Sequence, residues 1–126
     1  MLTRLLFMLC FLMICVLMVT SCEYNIIEFE EVDPTVEVKF SNDIMPIFNN
    51  KCNVSGCHIV GHSVVDLSAA NAYKDLIAKS MIDTDYPEQS KLYTKLVATG
   101  STHTGRSTPT EQDLILQWIK QGAKNN

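Results

Sequence analysis

One stretch, Cys52-Asn53-Val54-Ser55-Gly56-Cys57-His58, constrains the fold of this chain more than any other. Four residues separate the two thiols, and an imidazole follows the second directly. Such a set can close a disulfide or hold a metal. It is also what covalent haem attachment requires: two nucleophilic sulfurs for the vinyl groups and a neutral nitrogen for the iron. The usual spacing for that last chemistry is C-x-x-C-H, so the motif is a lengthened variant.

The compartment narrows these options. Residues 1–21 read as an export signal, with Arg4 as the positive end and a nearly unbroken apolar run from Leu5 to Val19, short for a transmembrane helix. Val19-Thr20-Ser21-Cys22 then places an aliphatic and two small residues before a cysteine. This resembles the lipobox of bacterial lipoproteins, in which the cysteine is lipidated and becomes the first mature residue; the competing reading is an uncleaved signal anchor. Cys10 and Cys15 would leave with the signal and Cys22 would be acylated, so Cys52 and Cys57 become the only remaining pair among the five cysteines. An exported protein works where disulfides persist and where c-type haem is attached, and a cytosolic zinc or redox role loses ground.

The 126-residue chain has a net charge of −4 and no basic stripe, which argues against a nucleic-acid partner bound through phosphate. Between Glu23 and Asp33 five of eleven residues are acidic, and Pro34 follows. Residues 22–39 are therefore expected to form a lipidated N-terminus and an extended tether, since a like-charged stretch repels itself and has little to bury. Ile26, Ile27 and Phe29 offer a short strand as the alternative.

The domain is expected over residues 40–126, as four short helices. Ser41 and Asp43 offer oxygens to free backbone donors, Pro46 is placed early, and Ile44, Ile47 and Phe48 recur at helical spacing up to Cys52. A second helix is expected from Ser68 as N-cap to Lys79, with Tyr73, Leu76 and Ile77 on one side. The third runs from Ser90 as cap, with Leu92, Tyr93, Leu96 and Val97 inward and Gly100 at its end. The last has the clearest start: Thr108 as N-cap, Pro109 at the first position and Glu111 three residues on, a capping box. Leu114, Ile115, Trp118 and Ile119 then form its apolar stripe, and Gly122 supplies the stop.

From Phe40 to Asn126 is about 87 residues, a length at which folding buries only about 60% of the unfolded chain's surface, so a staple is expected. A covalently held haem offers a large apolar surface for four short helices. A disulfide closing so small a loop adds little chain-entropy stabilisation.

Four segments in order, Phe40–Phe48, Cys52–His58, Ser90–Leu96 and Trp118–Ala123, make the domain resemble the exported, often lipid-anchored cytochrome-c-like domains of bacteria. The resemblance implies an all-α fold around a covalent haem c, thioether bonds at Cys52 and Cys57, and iron coordination by His58. It also implies that the first and last helices cross with Trp118 in the contact. Its function would be electron transfer between redox partner proteins, without bond-making catalysis, at a membrane reached through the lipid on Cys22.

The chain departs from that family in two respects. The cysteines are spaced more widely, although Gly56 offers a way for the longer loop to fold back. Many relatives also carry a Met-Pro segment before the last helix as the sixth iron ligand, and here no methionine follows Met81. His103, in the loop Ser101–Ser107, is the candidate in its place, against the alternative of a solvated loop histidine. Met81 is the next candidate, His62 lies too close to His58 to reach the opposite face, and a five-coordinate iron is the remaining option. Two haem-free readings compete: a surface lipoprotein module stapled by a Cys52–Cys57 disulfide that binds a protein or glycan, and a zinc site of Cys52, Cys57 and His58 with His62 or His103.

Overall fold

The computed structural model describes residues 31–126 continuously, and residues 3, 4, 6–9, 11 and 13 of the N-terminal apolar run, which are helical and exposed. Cys22, the lipobox and most of the acidic segment lie outside the described residues. Among the described residues there are helices and no strand, and no helix is long and apolar enough to cross a membrane. The fold is all-α.

Helix α1 is built of three consecutive pieces, Phe40–Ile44, Met45–Ile47 and Phe48–Cys52, the outer two wound as π-helix. Pro46 explains the winding before it. A proline inside an α-helix has no N–H to give and its ring strikes the carbonyl four residues back, and a wider turn relieves both problems. The Met45 N–H accordingly bonds to the Phe40 carbonyl, five residues back. Helix α2 is Ala72–Ala78, α3 is Lys91–Val97 after a 3-10 turn at Pro87–Gln89, and α4 is Pro109–Lys120.

The capping box of α4 is present in full: the Glu111 N–H donates to Thr108 Oγ1 at 3.2 Å, and the Thr108 N–H donates to Glu111 Oε2 at 2.7 Å. Its end is a Schellman turn. Gly122, at φ +92, donates to the Ile119 carbonyl and Ala123 donates to that of Trp118.

Other expected caps work differently. Helix α2 begins at Ala72 rather than at Ser68, whose hydroxyl is taken by Asp66, and Ser90 stands at the N-cap of α3 without capping it, its hydroxyl instead bridging the N–H and carbonyl of Asp83. In α1, Asp43 accepts from the Lys39 N–H as a cap would. The next two donors, on Phe40 and Ser41, go to the side chain and the carbonyl of Asn126 at the far end of the chain, each at 2.9 Å.

Trp118 is fully buried and its ring centre lies 5.2 Å from that of Phe40, so α1 and α4 pack where the sequence places the contact. Tyr73 brings α2 onto the same ring at 5.3 Å. Ile77 and Val97, expected inward, are exposed, because helices of two turns leave one flank uncovered. The segment before α1 is not a free tether over its last residues. Gln117 donates to the Pro34 carbonyl, Gln121 both donates to the Val36 carbonyl and accepts from the Val38 N–H, and Lys124 pairs with Glu37 at 2.9 Å. Residues 34–38 are thus strapped along α4.

Candidate haem-binding site

Helix α1 delivers Cys52 at its C-terminal end, partly buried against the core. The four residues that follow turn sharply. Cys57 donates its N–H to the Val54 carbonyl at 2.9 Å, with Gly56 at φ +80 in the third position of that turn, and the His58 N–H then reaches back to the Cys52 carbonyl at 3.0 Å. Gly56 therefore does fold the lengthened loop back, since a left-handed residue at that place is what this turn demands. Both cysteines are half-buried free thiols.

His103 is presented by the same device. The Arg106 N–H donates to the His103 carbonyl at 3.0 Å across a turn with Gly105 at φ +72, and Ser101 and Thr104 brace the loop through the Ala98 carbonyl. The two histidine rings come to 6.0 Å between centres and 18° between planes. Two imidazoles sharing one metal at ~2.0–2.1 Å per bond have ring centres about 6 Å apart, so the separation of this stacked pair, though not by itself the direction of its nitrogens, matches such a site. His62 packs edge to face with His58 at 4.7 Å, with its Nδ1 accepting from the Val64 N–H.

His58 Nδ1 lies 3.0 Å from the Val65 carbonyl. A carbonyl only accepts, so Nδ1 carries the proton and donates, and Nε2 keeps its lone pair. That arrangement fixes the tautomer and raises the basicity of a ligating imidazole. Burial nevertheless holds the His58 pKa below the ordinary histidine value, outweighing the Val65 bond, and His62 and His103 push in the same direction as burial. The ring is neutral, as a ligand must be.

Burial keeps the Cys52 thiol protonated, pushing its pKa up to about 11, helped by Cys57 and Glu111 and opposed by Arg106. A thioether carries no charge and suits such a place. Among the described residues no group of three or more His, Cys, Asp or Glu converges to hold a metal ion, which leaves a tetrahedral zinc site short of ligands. Haem makes a smaller demand, because the macrocycle supplies the four equatorial nitrogens and the chain only the axial ones.

The thiols and all three histidines line one cavity of about 480 Å³, within the size range of cofactor sites. Its only charged lining residues are Lys51 and Arg106, in a chain of net charge −4. They suit a ligand that is apolar with anionic substituents. A smaller apolar cavity of about 110 Å³ shares Cys52, His58 and His103 and adds Met81, which the 480 Å³ cavity does not touch. The residues present therefore fit a haem, with His103 better placed than Met81. The Val65 carbonyl, Lys51 and Arg106 escape sequence reasoning. A carbonyl has no signature in composition, but Arg106 is the one basic side chain in its loop apart from histidine and offered a signal. No family model, curated protein or solved structure matches the chain.

Proposed function

We propose that the domain is a cytochrome-c-like electron carrier of an exported lipoprotein, anchored through Cys22, with haem c joined to Cys52 and Cys57 and its iron held by His58 and His103. The observation that carries this reading is the near-parallel pair His58 and His103, 6.0 Å apart, lining one cavity with both thiols. Haem, when bound, supplies an iron that cycles between two oxidation states. The chain's part is to hold it irreversibly and to orient His58 through Val65. It also shields one side with Leu96 and Val64 and sets the potential through two imidazoles.

The test is to mature the chain with a c-type haem attachment system and record its absorption spectrum and intact mass. A Soret band that survives acid-acetone extraction, with the mass of one haem and one lipid, is expected. Absence of the band, or a two-proton mass loss marking a Cys52–Cys57 disulfide, refutes the proposal in favour of a haem-free surface module. His103→Ala should keep the haem covalently bound but lose the low-spin spectrum of two strong axial ligands.

A further inference from the structure

Val65 can hold the His58 ring only if the loop between them is itself fixed, and several of the restraints on that loop converge on Asp66. The side chain of Asp66 is buried, and it accepts from the Gly61 N–H at 2.8 Å, the Ser68 N–H at 2.9 Å, the Ser68 hydroxyl and the Asn71 amide at 2.9 Å. Its own N–H donates to Asp75 Oδ2 at 2.7 Å, which is also 2.8 Å from Lys79 Nζ. Lys79 in turn donates to the Ser63 carbonyl at 3.2 Å. Helix α2 is thus tied to both arms of the loop, and Val65 sits between the tied points. Leu67, two residues beyond Val65, donates to the His58 carbonyl at 3.0 Å, closing the loop on itself.

We propose that Asp66 is a positioning residue for His58: by gathering Gly61, Ser68 and Asn71 it keeps the Val65 carbonyl on His58 Nδ1 and so leaves Nε2 as the acceptor nitrogen. The inference rests on the reading of His58 as an iron ligand for its purpose, though not for its geometry. A carboxylate can serve this role where an amide cannot, because both of its oxygens accept while every partner here is a donor. The donors also hold the Asp66 carboxyl well below the usual carboxylate range, the Ser68 hydroxyl first and the Gly61 N–H next. Asp83 offers a built-in comparison. It too closes a loop, accepting from the N–H groups of Asp85 and Tyr86, but it has no connection to His58.

The experiment compares Asp66→Ala, Asn71→Ala and Asp83→Ala in the full chain by two readouts. The first is the histidine ring nitrogen spectrum of isotopically labelled, haem-free chain. Wild type should show His58 with one protonated and one acceptor nitrogen, and Asp66→Ala should move both toward tautomer-averaged positions. The second is the midpoint potential of the haem-loaded chain, which should rise in Asp66→Ala as His58 loses the basicity that the Val65 bond confers. Asn71→Ala should shift both readouts less and in the same direction, and it decides the matter if Asp66→Ala does not fold. Asp83→Ala should lower stability and move neither. Unchanged ring nitrogens and potential in folded Asp66→Ala, or equal shifts in Asp83→Ala, overturn the proposal. A chain that takes up no haem at all refutes the proposed function but leaves the ring spectrum to decide the role of Asp66.

Discussion

Asp66 also sets how the domain responds to acid. Its folded pKa lies below its unfolded value, so the unfolded chain takes up the proton first as pH falls. The stabilisation is therefore complete above about pH 4 and is lost as pH drops through the folded value. Asp75, held low first by its bond to Lys79 and next by the Asp66 N–H, acts with the same sign. In the haem-free chain, where the Nε2 nitrogen is open to protonation, His58 adds an earlier step. Burial lowers its pKa in the folded state, so stability begins to decline as pH falls below about 6.5. Urea midpoints measured from neutral pH to about pH 3 should fall in two stages. Asp66→Asn should start lower at neutral pH and show a flatter acid stage, and an acid stage as steep as that of wild type would show that other carboxylates dominate.

At the scale of the element, α4 is the best-specified part of the chain and the easiest to weaken predictably. Thr108→Ala removes the side-chain half of the capping box and should cost about 1 kcal/mol, which for a domain of this size lowers the melting temperature by about 4–8 °C. Glu111→Gln should cost less, since the amide oxygen still accepts from the Thr108 N–H. This helix was legible in the sequence because its start and stop signals lie within five residues of the groups they satisfy. Ser68 and Ser90 also read as caps but do not cap with their side chains, because Asp66 and Asp83 claim their hydroxyls from outside the helix. The first turn of α1 was still less accessible, its donors being met by Asn126, 86 positions away from Phe40. The site divides along the same line. Spacing brings Cys52, Cys57 and His58 together and loop position singles out His103, whereas the Val65 carbonyl and the Asp66 hold on it exist only once α2 has docked on the loop.

For the whole molecule, two contacts close the fold. One is the Phe40–Trp118 pair joining α1 to α4, where Trp118→Ala should cost about 3–5 kcal/mol out of a total of about 5–15 for a typical domain, enough to abolish the near-ultraviolet dichroism of a packed aromatic core in mild denaturant. The other is the strap over residues 34–38, and it bears on how the proposed lipid anchor works. If Cys22 is lipidated as proposed, the fully extended chain between it and the docked Pro34 reaches at most about 40 Å, which bounds how far the strap can stand from the lipid. Gln121 contributes two of the strap's hydrogen bonds, at 2.8 Å each. Its replacement in Gln121→Ala should weaken docking by about 1–2 kcal/mol and raise the population of the released strap about 5–30-fold. Lys39 lies at the junction of strap and α1, with its N–H held by Asp43 at 2.7 Å. Where opening is fast relative to cleavage, the tryptic cut after Lys39 should accelerate by that same factor while the melting temperature of the helical core changes little. A cleavage rate equal to wild type would mean that Gln117 and the Lys124–Glu37 pair hold the strap without Gln121.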